Sequence, residues 1–540
     1  MERTRLAPGL EISRILTGLW QVADQERDGA ALETERAAQA LEPAVDAGFA
    51  SFDVADHYGS AEVIAGAVRQ RRPEVQVLTK WVPEPGVSSR REVEAAVQRS
   101  LDRIGTDRLD VLQFHAWSYP DPGWLDCLFH LMEIRAEGRI GHLGVTNFDA
   151  VHLDLALQSG IPLVSNQVCY SLLDRRPAGR MTEVCRTHGV GLLAYGTLAG
   201  GLLSDRWLGA PAPEIDESLT WSQMKYRRFI GEAGGWERFQ GVLRAARRVG
   251  NRYGVSIANV AVRHVLEKPA VAGVIVGARP GERSHLEDNL RLFDFSLDAE
   301  SRAELTEARE ALDPIPGDCG DEYRRPPYLT ASGDLHHHVT HFPAPYAARK
   351  TRRGLELDPE AGFPEAIRTG NSIRIAGVTA THAGRPIGGD GVGAQTHFAL
   401  DRVEGALQSL DAELAGITRV TARAREEDWP PVKAVLVERL PSCGPDSLVR
   451  DHYPGGLRAV TPHRVEIDVE ARTWKTPPRS AGLPASPVLP VGTARRRQTK
   501  RGQRTALTAR ASTATGLRCA PRVGCRIRRN HHVLQLLGVS

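Results

Sequence analysis

Between residue 10 and about residue 295, short apolar runs alternate with amphipathic stretches, and this alternation restricts the fold more than any other feature. Helical patterns lie between the runs at 33–48, 91–105 and 181–190. Eight strand–helix units in about 285 residues match the size and order of an α/β (β/α)8 barrel. A doubly wound open sheet is the alternative, but strands 1 and 2 lack the GxGxxG that usually follows its first strand. The runs interpreted as strands are SRILTGLW, FASFDVA, VQVLTK, LDVLQFHA, IGHLGVTN, LVSNQVCY, GLLAYGTLA and AGVIVGA.

Four chemically matched residues fall where predicted strands end: Asp53, Tyr58, Lys80 and His115. A phenol with a reference pKa of about 10 is a poor acid at neutral pH. A neighbouring ammonium is expected to lower that pKa, a carboxylate to hold the ammonium, and an imidazole to orient a carbonyl oxygen. Each residue alone could be structural, as an ion pair or a packing side chain. Their joint placement favours a proton-donating carbonyl site.

Composition divides the chain into four parts. The barrel is assigned to residues 1–315 and closes with a helical pattern at 298–312, and a linker rich in Pro, Gly and charge follows at 316–355. An α+β domain with a mixed sheet is predicted for 356–472. Residues 473–540 carry fourteen Lys and Arg and no Asp or Glu, and they are interpreted as a basic, disordered tail.

Several classes of function are not expected. No apolar run approaches the length of about 18 residues that a membrane helix needs, and the N-terminus lacks a secretory signal. Seven scattered cysteines favour reduced thiols in a cytoplasmic protein. The tail lacks the aromatic residues interleaved with basic ones that single-strand nucleic-acid binding uses. The histidines at 336–338 and 341 lack further ligands at metal-binding spacing, so no metal site is predicted.

The barrel sequence resembles the aldo-keto reductases from about residue 8 to 312. The segments that carry the resemblance, in order, are FDVADHYGSAE, LTK, QFH, GVTNF, NQVCY, AYGTLAGG, and IVGAR followed by HLEDN. The resemblance implies a (β/α)8 barrel that uses NADPH to reduce aldehydes or ketones, with NADH open as an alternative. It gives Tyr58 the role of general acid, Lys80 and Asp53 that of lowering its pKa, and His115 that of placing the carbonyl.

The same resemblance implies a set of cofactor contacts. Thr146, Asn147 and Gln167 match positions around the nicotinamide carboxamide, and Tyr195 matches the aromatic that stacks on the ring. His285 stands where many NADPH-preferring members have Arg or Gln, so the preference for NADPH depends mainly on Arg279. Residues that match the adenosine-phosphate and adenine contacts are Gly277, Ala278, Arg279, Asp288 and Asn289.

Aromatic residues near strand ends are candidates for the substrate pocket. Trp20, Trp81 and Trp117 could line it, although each could equally be a core residue. A long insertion after the seventh strand, 201–235, lies on the catalytic face expected of a barrel. It is expected to shape the pocket.

The second domain, at about 361–472, resembles the YjgF/Rid group of imine and enamine deaminases. The matching segments are GFPEAIRTGNSIRIAGVTAT, GDGVGAQTHFALDRVEGAL and VEIDVEA. Glu466 matches the group's glutamate, and Arg450 is the candidate for its arginine. The group usually forms trimers, so a homo-oligomer through this domain is an option, and a binding or assembly module is an alternative to deamination.

The sequence therefore predicts a cytoplasmic NAD(P)H-dependent oxidoreductase that acts on a small-molecule carbonyl substrate. Two alternatives stay open. The barrel could be a catalytically silent cofactor sensor, or the protein could be bifunctional, with imine or enamine deamination in the C-terminal domain.

Overall fold

Eight parallel strands, one from each predicted run, close into a barrel in the computed structural model of the protein. The model describes residues 2–324 apart from 85, 87, 283 and 284, followed by 365–451 and 463–473. The barrel order is β10-β3-β4-β5-β6-β7-β8-β9, which confirms the predicted fold. The barrel strands are β3 Ile15–Gly18, β4 Ser51–Asp53, β5 Gln76–Trp81, β6 Leu109–His115, β7 Ile140–Thr146, β8 Leu163–Cys169, β9 Gly191–Tyr195 and β10 Val271–Gly277.

A hairpin of β1 (Arg3–Ala7) and β2 (Leu10–Ser13) precedes the barrel. Its apolar side chains, such as Leu6 and Ile12, form one buried cluster with Leu78 and Val111 from the barrel interior. Burying this apolar surface removes it from water and fills one end of the barrel. The functional side chains lie at the opposite, carboxyl-terminal end of the strands.

Helices surround the strands because their apolar positions recur with helical spacing. In Arg90–Ile104 the buried residues follow that spacing, Ser89 and Glu92 form a capping box, and Gly105 ends the helix at φ 71°. The helices of this region are Trp20–Gln25, Thr34–Asp46, Ala61–Arg71, Arg90–Ile104, Gly123–Ala136, Ala150–Gln158, Arg180–His188, Trp221–Glu232, Trp236–Tyr253, Ile257–Leu266, Leu286–Leu290, Ala299–Glu310 and Asp321–Arg324.

The C-terminal domain contains the predicted mixed sheet, in the order β11-β12-β17-β15-β16. β15 and β16 are parallel and the other pairs are antiparallel. The helix Val392–Ser409 packs on β12, β17 and the second helix, Trp429–Arg439. The strands are β11 Glu365–Thr369, β12 Ser372–Thr379, β13 Thr381–His382, β14 Arg385–Pro386, β15 Ile417–Ala424, β16 Leu448–Asp451 and β17 Val465–Arg472.

The boundary of the predicted linker differs from the structure. Residues 316–324 were assigned to the linker, yet Cys319, Asp321 and Glu322 are buried against the barrel. The remaining linker residues, the histidines at 336–341 and the tail beyond Thr473 lie outside the described residues. The barrel and the C-terminal sheet belong to one compact unit, Met1–Pro478.

Within the described ranges, no helix combines the length and the apolar character needed to cross a membrane.

Candidate active site at the carboxyl-terminal end of the barrel

A buried ion pair lies at the centre of the site. The ammonium of Lys80, on β5, donates to both carboxylate oxygens of Asp53 at 2.8 and 2.7 Å and to the carbonyl of Val54 at 2.9 Å. Asp53 and Lys80 are each only 3% exposed. Burial lowers the pKa of Lys80, and the Asp53 carboxylate opposes this effect. The carboxylate therefore compensates a cation that has lost its water.

The phenol of Tyr58 lies against this pair. The Lys80 ammonium is 4.6 Å from the centroid of the Tyr58 ring, and the tyrosine is 9% exposed. Burial, followed by Asp53, Tyr323 and Asp56, raises the pKa of Tyr58 well above 10.0. This direction is opposite to the sequence expectation, because lost hydration and nearby acidic groups outweigh the ammonium. The side chain is therefore held as a neutral phenol at ordinary pH.

His115 ends β6 in a row of polar residues across three strands. It pairs in register with Thr146, which pairs in turn with Gln167. Burial lowers the pKa of His115 to about 3, so the imidazole is neutral at ordinary pH. Neither ring nitrogen has a side-chain hydrogen-bond partner within the described residues. The ring is thus able to donate to, or accept from, a bound molecule.

The residues predicted around the nicotinamide lie together. Asn147 has a left-handed backbone at φ 59°, and its side-chain oxygen accepts a hydrogen bond of 2.8 Å from the Tyr195 hydroxyl. Thr146 donates to the Gln167 carbonyl at 3.2 Å. The Gln167 amide nitrogen donates to Asp53 at 2.7 Å and to Gln113 at 3.0 Å. The predicted carboxamide site is therefore connected directly to the buried ion pair.

The predicted adenosine-phosphate residues follow β10. The Arg279 guanidinium pairs with Asp24 at 2.9 Å and with Glu282 at 2.6 Å and is about one-third exposed. Asp288 accepts hydrogen bonds of 3.0 Å from Ser256 and from Asn259. Gly277 is the last residue of β10, Ala278 follows it, and Asn289 belongs to the helix Leu286–Leu290. A phosphate at Arg279 would have to compete with two carboxylates.

Two of the three predicted pocket tryptophans border the site. The Trp20 ring meets the Tyr58 ring edge-on at 4.9 Å, and the Trp117 ring meets His115 at 4.6 Å. Trp81 does not belong to the pocket, so that prediction is corrected. It follows Lys80 on the same strand and therefore points to the opposite face, where it packs on Phe114 at 5.5 Å in the core.

A segment that the sequence did not single out covers this end of the barrel. We call residues 317–324 the strap. Glu322 pairs with the buried Arg176 at 2.8 Å, and the Lys225 ammonium donates to the Tyr323 hydroxyl at 2.7 Å. Burial raises the pKa of Glu322, but Arg176 and Lys225 outweigh it and bring the pKa down to about 2. The strap is therefore fixed by charge as well as by packing.

The strap contacts several predicted site residues. The Tyr323 ring lies 5.6 Å from His115, and Glu322 accepts from Tyr195 at 3.5 Å. Gly320 lies so close to Asn147 that an added Cβ would be 2.1 Å from its backbone oxygen. Lys225 belongs to the long insertion after β9, as does Trp221, which lies 6.0 Å from Trp20. The insertion thus reaches the site, as expected.

The two residues proposed for deamination lie on opposite faces of the C-terminal sheet. Arg450 pairs in register with Ala422 and lies 5.7 Å from the Trp429 ring, on the helix side. Glu466 pairs with Arg423 at 2.9 Å, on the other side. Successive residues of a strand alternate between faces, so Arg450 and Glu466 do not form one site in this chain.

The donor set suits a nicotinamide dinucleotide better than a metal. Amide side chains, a tyrosine ring and a guanidinium lie at or near the ends of successive strands, and the buried Thr197 hydroxyl has no partner among the described residues. In the same part of the chain, no group of three or more His, Cys, Asp or Glu side chains is arranged to hold a metal.

Comparison with known proteins identifies the family. A family model described as the aldo/keto reductase family matches residues 14–310, more than half of the chain. The chain therefore belongs to this family and is an oxidoreductase of the kind that acts on carbonyl substrates. The match ends before the C-terminal domain.

Individual relatives also match. Aldo-keto reductase YhdN of Bacillus subtilis (strain 168) is 27% identical over 350 residues, covering 61% of this chain and 98% of the relative. An aldo-keto reductase of Mycobacterium sp. (strain KMS) is 32% identical over 210 residues, covering 36% of this chain and 71% of the relative. The solved structure of the thermostable aldo-keto reductase Tm1743 with the inhibitor epalrestat is 24% identical and covers 57% of this chain and 100% of its own, with a TM-score of 0.44.

Proposed function

We propose that the barrel is an NAD(P)H-dependent reductase that converts an aldehyde or ketone to an alcohol, with Tyr58 as the general acid. The observation that carries this proposal is the buried Asp53–Lys80 pair beside the neutral phenol of Tyr58. A buried lysine with a dedicated counter-ion costs stability to maintain, and such groups concentrate at functional sites.

The side chains fit one proton transfer. A bound dihydronicotinamide would supply the hydride to the carbonyl carbon. Tyr58 would give its proton to the carbonyl oxygen, and the phenolate that remains would be stabilised by the Lys80 ammonium. Asp53 would keep the ammonium in position. Neutral His115, whose ring nitrogens lack side-chain partners among the described residues, would orient the carbonyl oxygen.

The cofactor would be held by residues on both sides of the barrel opening. Asn147 and Gln167 offer amides to the carboxamide, Thr146 lies beside them, and the Tyr195 ring can stack on the nicotinamide. At the adenosine end, the Arg279 guanidinium would donate two parallel hydrogen bonds to a 2′-phosphate, which favours NADPH over NADH. Gly277, Ala278, Asp288 and Asn289 would complete that end.

Tyr58→Phe tests the proposal. With a panel of aldehydes and sugars, we expect NADPH oxidation to fall by about 10²–10⁴-fold, while NADPH binding, followed by its fluorescence, stays within about twofold. Tyr253→Phe is a matched control, because the Tyr253 hydroxyl accepts a hydrogen bond from the Asp298 backbone nitrogen and Tyr253 ends the helix Trp236–Tyr253 rather than a barrel strand. Equal turnover by Tyr58→Phe and the parent protein would exclude Tyr58 as the acid.

The alternatives give different results in the same assay. Tight NADPH binding with no turnover by the parent protein across the panel would favour a cofactor sensor.

The YjgF/Rid-like character, oligomer formation and a cytoplasmic location stay predictions. Because Arg450 and Glu466 lie on opposite faces, we propose an assembly or docking role for the C-terminal domain. If the full chain released ammonia from an enamine and Glu466→Gln abolished that release, the result would contradict an assembly or docking role.

A further inference from the structure

The C-terminal domain packs on the barrel through a largely buried interface. The helix Val392–Ser409 lies between its own sheet and the barrel helix Ala150–Gln158. Four apolar residues of the domain, Ala380, Ile387, Ala394 and Phe398, belong to the hydrophobic cluster of the barrel. An interface with this apolar content excludes water, so polar groups within it must satisfy one another.

One imidazole connects two carboxylates at the centre of this interface. His152, on the barrel, places Nδ1 2.7 Å from Asp149 of its own helix cap, and Nε2 2.9 Å from Asp401 of the C-terminal domain. The three residues are 2%, 5% and 1% exposed. A neutral imidazole has one N–H, whereas the imidazolium has two. A ring that donates to both carboxylates must therefore be protonated.

We propose that His152 is a proton-operated latch, which holds the C-terminal domain against the barrel while the imidazole is charged and releases it when the proton is lost. A neutral ring would leave one carboxylate oxygen facing a ring nitrogen that carries no proton, in a dry interface. It would also remove the positive charge that lies between the Asp149 and Asp401 carboxylates.

Two arginines lie near the latch, and because each repels a charged imidazole, the attraction must come from Asp149 and Asp401. Tyr119 stacks on the His152 ring at 3.4 Å, and the Arg324 guanidinium lies 4.5 Å from the Tyr119 ring. On the other side, Arg439 donates to Asp401 at 2.9 Å and to Glu404 at 3.2 Å. Each carboxylate of the latch thus faces a cation or a donor.

Other titratable groups at this interface differ from His152. Burial lowers the pKa of His397 to about 3, so this residue is neutral, and Arg180 donates to it at 3.3 Å. Arg180 also forms an exposed pair with Glu438. A second contact between the domains, His382–Asp126 at 2.8 Å, leaves its carboxylate about one-third exposed. Asp318 accepts from the Ala150 backbone nitrogen at 3.4 Å.

The direction of the pH effect follows from the two carboxylates. Burial lowers the pKa of His152, but Asp149 and Asp401 outweigh it and raise the pKa above its ordinary value of 6.5. The latch is therefore fully closed below pH 6.5 and opens as the pH rises through the raised pKa. The pKa values of Asp149 and Asp401 are lowered, so neither titrates in this range.

Hydrogen–deuterium exchange of the full chain tests the latch. Protection of the peptides from 150–158 and 392–409 is measured between about pH 6 and pH 10 and corrected for the intrinsic exchange rate. One proton controls docking, so we expect protection to fall by up to about tenfold per pH unit as the pH rises from the pKa of His152 in the released state to its raised pKa in the docked state, and to level off above that. Protection that does not change with pH after correction would overturn the proposal.

Variants connect the effect to this residue. His152→Gln should show the low, pH-independent protection of the open state in both peptides. His188→Gln is the matched control, because His188 pairs with Asp154 at 2.9 Å on the barrel surface, and it should behave as the parent protein does. If His152→Gln does not fold, Asp401→Asn, which leaves the His152–Asp149 pair intact, should abolish the pH dependence. Retention of that dependence in either variant would overturn the latch.

Discussion

The side-chain amide of Gln167 donates a hydrogen bond of 2.7 Å to Asp53, whose carboxylate also receives the Lys80 ammonium. Asp53 is thus the common partner of a buried cation and a predicted cofactor residue. We expect Asp53→Asn to lower the free energy of unfolding by about 3–5 kcal/mol, because Lys80 stays buried without a counter-charge. The loss is measured by urea unfolding, followed by barrel tryptophan fluorescence.

A surface pair supplies the comparison for this change. Glu42→Gln removes one of the two carboxylate partners of Arg71, and the Arg71 and Glu42 side chains are about one-third exposed. Water can solvate the arginine that remains, so the unfolding midpoint should not move measurably. If Asp53→Asn and Glu42→Gln lowered the free energy of unfolding by similar amounts, Asp53 would contribute no more to stability than a surface carboxylate does.

The pH dependence of turnover should reflect the neutral state of both reacting groups. Burial raises the pKa of Tyr58 well above 10.0 and lowers that of His115 to about 3. The phenol keeps its proton until the pH passes its raised pKa, so kcat/KM for reduction should be level from about pH 6 to about pH 9. A rate profile at saturating NADPH measures this. A break near neutrality would show that another group, or a lowered Tyr58 pKa, controls the step.

The barrel and its central site were readable from sequence because both depend on short-range pattern. Buried parallel strands appear as apolar runs, and helices appear as amphipathic stretches between them. Strand ends on one edge of a barrel converge, so Asp53, Lys80 and His115 could be brought together without coordinates. The alternation of faces along β5 would also have excluded Trp81, since Lys80 points inward.

The strap could not be predicted because its burial depends on distant partners. Its Gly, Asp and Cys content is typical of a linker, and Glu322 becomes a core residue only through Arg176 and Lys225. The direction of the Tyr58 pKa shift was wrong for a related reason. Sequence identifies the neighbouring lysine, but the extent of burial and the contributions of Asp56 and Tyr323 depend on packing.

The ring of Tyr323 should limit the size of the substrate. It lies 5.6 Å from the His115 ring and is fixed by the Lys225 hydrogen bond. We expect Tyr323→Ala to raise kcat/KM for a bulky aromatic aldehyde by about tenfold relative to a small aliphatic one, because it removes an obstructing side chain. Tyr323→Phe, which keeps the ring, should leave that ratio unchanged. An equal change of the ratio in both variants would assign the effect to the hydroxyl.

Gly320 should be the position where the strap tolerates a side chain least. Its φ is +79°, and an alanine Cβ would lie 2.1 Å from the backbone oxygen of Asn147, which cannot rotate away. Gly138→Ala separates backbone strain from the steric clash, because Gly138 has a φ of +91° with nothing within 4 Å of the added Cβ. Backbone strain alone should therefore lower the free energy of unfolding of Gly138→Ala by about 1 kcal/mol. In Gly320→Ala the free energy of unfolding should fall by about 1–3 kcal/mol more, and the strap should shift.

Because the strap carries Tyr323, Gly320→Ala should also reproduce the substrate-size change of Tyr323→Ala, measured with the same two aldehydes. A variant that loses stability without that change would show that the strap does not restrict the pocket.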